Sequence, residues 1–158
     1  MGVITAVVLF IGALLSDGTR YEEAITAYES HKFGDAEIVF RELALKGHAG
    51  AEAMLGVMYY NGQGVPKNEA LAAIWLFKAA NKGVPSAQLA LGSLHIKGLG
   101  VRANVFEAYK WLKLAEKSDV EKVKIEAARI IVLIKPLLSE DELLRVEDAL
   151  ANWRPITN

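Results

Sequence analysis

The chain has 158 residues, enough for one domain or a short repeat array, and no cysteine, which excludes disulfides, thiolate metal sites and a cysteine nucleophile. Eighteen basic residues against nineteen acidic ones leave no field that would select nucleic acid or an anionic membrane surface. A hydrophobic content of 53%, four prolines and no low-complexity run describe one folded body.

The chain opens differently from the rest. "VITAVVLFIGALL", residues 3–15, is an uninterrupted apolar stretch followed by "SDGT". It is shorter than the roughly 20 residues that span a bilayer and suits the hydrophobic region of a secretory signal. No Lys or Arg precedes it, and Ala13-Leu14-Leu15 is a poor small-x-small cleavage site. Residues 1–18 are read as a signal peptide-like or anchor segment, a buried helix being the third option. A mature start is expected between Leu15 and Arg20. The corresponding location is periplasmic or secreted, with inner-membrane anchoring as the alternative, and membrane association is confined to residues 3–15.

After Gly18 the hydrophobic period is helical throughout. Helices are predicted over 19–31, 34–46, 49–60, 68–81, 86–96, 104–117, 119–135 and 140–153. Connections are short, so neighbours should run antiparallel. Ala51, Leu55 and Tyr59 share one face of the third helix, and Ala72, Trp75, Leu76 and Ala79 share one face of the fourth. Ser139 followed by Glu142 is a capping box for the last helix, and Leu143, Val146, Leu150 and Trp153 mark its inner side.

Two stretches recur. "LGVMYYNGQGV" at 55–65 returns as "LGSLHIKGLGV" at 91–101, an offset of 36 residues. The same offset maps Ala51 on Ala87, Ala72 on Ala108, Trp75 on Trp111, Leu76 on Leu112 and Gly47 on Gly83. A fixed period of this length marks a stacked array. The glycines then have structural work. Gly56 and Gly92 interrupt helices at a cost of about 1 kcal/mol each, which implies close approach of the partner helix and its Trp75 or Trp111. Gly62 and Gly98 fit the left-handed position after a helix.

Other readings are weaker. A phosphate loop at "GQGVPKN" lacks a preceding strand and a third glycine, because Pro66-Lys67 stands where that glycine is due. His31, His48 and His95 fall in different hairpins without ligand spacing, so no metal site is expected. Glu140, Asp141 and Glu142 occupy a first helical turn, where negative charge meets the positive end of the dipole. No catalytic residue and no cofactor are assigned.

Residues 51–83, "AEAMLGVMYYNGQGVPKNEALAAIWLFKAANKG", resemble a Sel1-like repeat, the longer-looped relative of the tetratricopeptide repeat. The pattern is A-x-x-x-L-G-x-x-Y-x-x-G-x-G-V followed by A-x-x-W-Y-x-K-A-A-x-x-G, with Leu76 in the second aromatic place. The copy at 87–118 departs from it at His95, Leu114, Glu116 and Asp119. Residues 19–47, through "AYESHKFGDAEIVFRELALKG" at 27–47, resemble the shorter tetratricopeptide form, and 119–153 keeps only the helical phase.

The resemblance implies an all-α fold, a short right-handed α-α superhelix of stacked antiparallel hairpins. Its segments are 19–47, a repeat at 48–83, a repeat at 84–118 and a capping hairpin at 119–153, forming one domain over 19–153. It also implies a non-catalytic adaptor of a bacterial envelope that binds a protein or peptide partner in its concave groove. The groove positions would be Tyr21, Ile25 and Tyr28, then Ala53, Val57, Tyr60 and Asn61, then Leu89, Ser93, Ile96 and Lys97. Two alternatives stand beside it: a structural subunit of a membrane-associated complex, and an enzyme of the β-lactamase-like branch of the family. That branch uses cysteine pairs, which this chain lacks.

Overall fold

The computed structural model describes residues 16–157, and the apolar stretch at 3–15 lies outside the described residues. Among the described residues there are eight α-helices, one 3-10 turn and no strand. They are α1 Asp17–Glu29, α2 Phe33–Leu45, α3 Ala49–Asn61, α4 Glu69–Asn81, α5 Pro85–Lys97, α6 Val105–Ala115, α7 Glu121–Ile134 and α8 Glu140–Asn152. The first starts two residues before its predicted bound, because the Ser16 side chain accepts from the Thr19 N–H and caps it.

The 36-residue period is visible in the backbone. Asn68 caps α4 and Asn104 caps α6, each through its side-chain oxygen on the N–H three residues on, at 3.0 Å in both cases. The same two asparagines close the preceding loops, their N–H groups donating to Tyr59 O at 2.8 Å and His95 O at 3.0 Å. Gly62 and Gly98 end α3 and α5 in the left-handed conformation, with φ of 73° and 67°. Gly64 and Gly100 follow at φ 70° and 69°, and each lies on the backbone of the preceding pair. A Cβ on Gly64 would meet the Phe33 carbonyl oxygen at 2.6 Å, and one on Gly100 would collide with that of Glu69. The glycine loop is therefore the joint between successive repeats.

The pairs α1–α2, α3–α4 and α5–α6 are antiparallel hairpins, and each stacks on the next through its neighbouring helices. Two apolar clusters form the interior. One gathers Ala24, Phe40, Leu43, Leu55 and Met58, and the other gathers Leu76, Leu91, Trp111, Leu112, Ile131, Val146 and Leu150. Such stacking makes stability a sum of hairpin and interface contributions.

Two packing details differ from the sequence reading. The side chain nearest a Cβ on Gly56 is Leu76, and on Gly92 it is Leu112, not the tryptophans one residue earlier. Trp111 is buried, whereas Trp75 is half-buried with the Lys78 ammonium 4.3 Å above its ring. The C-terminal part also departs from the hairpin pattern. Both α7 and α8 pack on α6, and they do not run along each other as the earlier pairs do. Pro136 ends α7 in a 3-10 turn at Lys135–Leu137. From there α8 folds back, and the segment after it reaches the α4–α5 turn, where the Ile156 N–H donates to Asn81 O at 2.8 Å.

Candidate partner-binding groove

The first helices α3, α5 and α7 stand in succession, and two hollows open between them. The first, of about 260 Å³, is lined by Val57 and Tyr60 of α3, Leu76 of α4, and Ala90, Ser93, Leu94 and Lys97 of α5. The second, of about 300 Å³, is lined by Ser93, Ile96 and Lys97 of α5 with Glu126, Arg129 and Ile130 of α7. Ser93 and Lys97 border both, so the two form one strip over three helices.

Its floor is apolar and its margin charged. The Lys67 ammonium sits 5.6 Å from the Tyr60 ring centroid and pairs with Glu69 at 3.1 Å. Lys97 makes no ion pair among the described residues. Glu126 and Arg129 form a two-pronged pair at 2.6 and 3.0 Å, and the guanidinium holds the Glu126 carboxyl below the usual carboxylate range. Ser93 gives its hydroxyl to Leu89 O at 3.0 Å, leaving an acceptor facing the hollow.

The eleven sequence-derived positions divide into two groups. Val57, Tyr60, Ser93, Ile96 and Lys97 line the strip. Ala53 is buried, and Leu89 is half-buried against the second cluster. Asn61 is exposed and donates to Gln63 Oε1 at 3.1 Å. Tyr21, Ile25 and Tyr28 line neither hollow. Tyr21 stacks on His48 at 4.6 Å and meets Phe40 at 5.8 Å, and Ile25 packs on the first cluster. Tyr28 donates its hydroxyl to Gln63 Oε1 at 2.7 Å and sets its ring edge against Phe33. That bond makes Gln63 a tie between repeats, not a turn residue alone.

Ala90, Leu94, Glu126, Arg129 and Ile130 belong to the strip without having been singled out. Continuing the 36-residue offset one further step would have found the last three, since it carries Ala90, Ser93 and Leu94 onto Glu126, Arg129 and Ile130. A larger hollow of about 540 Å³ opens elsewhere, beside Ile74 and Phe77 of α4 and Val101. Ile74 and Phe77 are about half exposed.

The glycine loop is unsuited to phosphate. Its N–H groups serve the helix end, with Gly62 and Gln63 both donating to Met58 O. The histidines stay apart: His48 caps α3, His95 lies 3.3 Å from Arg102 O, and His31 is exposed beside Phe33. No group of three or more metal-ligating side chains occurs among the described residues. A buried ion pair was not foreseen. Glu52, 3% exposed, receives Lys82 at 2.9 Å while the same ammonium donates to Gly47 O at 2.7 Å. It ties α3 to the end of α4 and stands away from the strip.

Stacked helix pairs joined by left-handed glycine turns define an α-solenoid of the Sel1-like class. The Sel1 repeat model matches residues 49–84 and 85–120, and the chain is a Sel1-like repeat protein. It is similar to the solved structure of c5321, a protective antigen of uropathogenic Escherichia coli strains with an SLR fold, at 26% identity and a TM-score of 0.79. That match covers 87% of this chain and 30% of the other. A Sel1 repeat protein from Oxalobacter formigenes is similar at 30% identity and a TM-score of 0.62, over 68% of this chain and 44% of that one. The chain thus spans less than half the length of either structure. No curated protein sequence matches it. Such repeats generally serve as protein-interaction scaffolds. No helix among the described residues is long and apolar enough to cross a membrane.

Proposed function

We propose that the protein is a non-catalytic adaptor that holds a partner polypeptide along the strip between α3, α5 and α7. The observation carrying this reading is the continuity of the two hollows, which share Ser93 and Lys97 and present apolar side chains from three successive first helices. An apolar strip with polar margins favours a segment of another protein, and Tyr60 at its mouth has the amphipathic ring that interfaces use as an anchor. Lys97, which lines both hollows and makes no ion pair among the described residues, favours an acidic group on that segment. The larger hollow at Ile74 and Phe77 also crosses a repeat boundary, reaching Leu91, Val101 and Glu107, but it contains none of the eleven groove positions of the first helices.

The proposed setting is a bacterial envelope. The apolar stretch at 3–15 and the bacterial sources of both similar structures support it. The test is quantitative capture of the partner by purified protein with Val57→Asp and with Phe77→Ser. The account expects Val57→Asp to abolish capture with an unchanged melt, and Phe77→Ser to leave it intact. Hydrolysis of a chromogenic lactam by the pure protein would overturn the non-catalytic reading.

A further inference from the structure

The register of the array runs one helix further than its hairpins do. The 36-residue offset that maps α3 on α5 maps α5 on α7, placing Ala127 on Leu91, Ala128 on Gly92 and Ile130 on Leu94. Ala127 is fully buried and Ile131 is 7% exposed, so α7 is seated as a first helix. In the two preceding repeats the small residue at this place is covered by a leucine of the second helix, Leu76 over Gly56 and Leu112 over Gly92.

The helix due to cover Ala128 does not do so. At the positions of Trp111 and Leu112, α8 carries Glu147 and Asp148, both exposed. Its apolar residues are in a different phase, and Val146 and Leu150 bury themselves in the cluster around α6. The segment after it then runs back to Asn81. The flank of α7 is left open, with Ile125 at 57% and Val132 at 72% exposure, whereas Leu89, which the offset places on Ile125, is half-buried and Ala53, one offset further back, is 8% exposed.

We infer that this flank is a docking site for an amphipathic helix of another protein, which supplies in trans the second helix that α7 lacks. Continuity with the α3–α4 and α5–α6 interfaces sets the geometry: an apolar stripe with a leucine-sized side chain over Ala128, between Ile125 and Val132. Charge sets the margins. At helical spacing Lys124 and Lys135 lie along one side of that stripe, with Lys122 and the Glu126-paired Arg129 along the other, while Glu121, one turn before Ile125, stands at its amino-terminal end. Lys122, Lys124 and Lys135 make no ion pair among the described residues. The incoming helix therefore carries acidic residues beside its apolar stripe.

A second copy of the chain fits less well. Two such flanks meeting across a two-fold axis would oppose basic rims. The outward residues of α1, among them Glu22, Glu23, Thr26 and Glu29, have the charge but offer no apolar side chain.

The probe is a fluorescent peptide of residues 68–83, the protein's own second helix, with Lys78→Glu and Lys82→Glu to give acidic margins, titrated with the full chain. Saturable binding is expected, about tenfold weaker with Ile125→Ser plus Val132→Ser and several-fold weaker for the peptide with its native lysines. Both substituted side chains are exposed, so the melt should stay close to the parent's. The groove variant Val57→Asp should bind the peptide normally, which separates this site from the strip proposed above. Absence of saturable binding overturns the inference, as does binding that survives the double variant or is lost with Val57→Asp. Self-association abolished by Ile125→Ser plus Val132→Ser would assign the flank to a second copy and overturn it equally.

Discussion

Leu76 closes over Gly56: a Cβ on the glycine would lie 2.5 Å from the leucine Cγ and 3.2 Å from its backbone nitrogen. The next repeat preserves the relation, with Leu112 Cγ 2.8 Å from a Cβ on Gly92. Gly56→Val should therefore cost about 3 kcal/mol through overpacking. Gly56→Ala should also destabilise, despite a gain of about 1 kcal/mol in helix propensity. Gly34 has nothing within 4 Å of its would-be Cβ, so Gly34→Ala should stabilise, by up to about 1 kcal/mol. Urea titration of the three variants checks the signs.

The two tryptophans should separate in the same experiment. Trp111 is 2% exposed, and Trp111→Ala should cost about 3–5 kcal/mol. Trp75 is half-buried under Lys78, and Trp75→Ala should cost roughly half as much. Trp111 Nε1 has no hydrogen-bond partner among the described residues. Trp111→Phe therefore breaks no hydrogen bond and should cost less than about 2 kcal/mol. Equal losses for the two alanine variants would contradict this placement of the core.

Acid should loosen the first hairpin. Glu42 accepts both prongs of Arg20, at 2.5 and 2.6 Å, and Lys46 at 3.1 Å, and its pKa is lowered to about 2 by Arg20 first and Lys46 second. A depressed folded-state pKa contributes stability that is present above the unfolded value and lost as pH falls from about 4.5 towards 2. The carboxylate is 46% exposed, so solvent screening limits the contribution to about 1 kcal/mol. Glu42→Gln should be less stable than the parent by that amount at pH 7, and the difference should close near pH 2. Melts at both pH values decide it.

The last helix depends on its cap. Ser139 Oγ accepts from the Glu142 N–H at 3.2 Å, and Glu142 returns the bond to the Ser139 N–H at 2.9 Å. Ser139→Ala should cost about 1 kcal/mol. Because α8 rests on α6 and not on α7, the effect should be local. Amide exchange should quicken in Glu140–Asn152 and stay unchanged in α3 and α4.

The architecture was legible because the repeat writes each feature twice. Glycines in pairs, capping asparagines and apolar residues three and four apart point to the same hairpin, and α3 to α6 lie within two or three residues of their predicted spans. Adjacent residues were harder. Trp75 and Leu76 both fall on the inner half of α4, and spacing does not say which of them reaches the glycine. Contacts between repeats were harder still, since Tyr28 and Gln63 are 35 residues apart and no periodicity links them. The fold-back of α8 was hidden because its helical phase is ordinary. What sets it apart is Glu147 and Asp148 standing where Trp111 and Leu112 stand one repeat earlier.

The central claim is that a partner lies along the strip between α3, α5 and α7. Its most direct test is photo-crosslinking in the native cells, with a photoreactive phenylalanine analogue placed singly at Tyr60, Ser93, Ile38 or Ile74. The account predicts one shared adduct from positions 60 and 93, lost when Val57→Asp is added, and none from 38 or 74. Adducts from position 74 without any from 60 would place the partner on the larger hollow at Ile74 and Phe77 and contradict it.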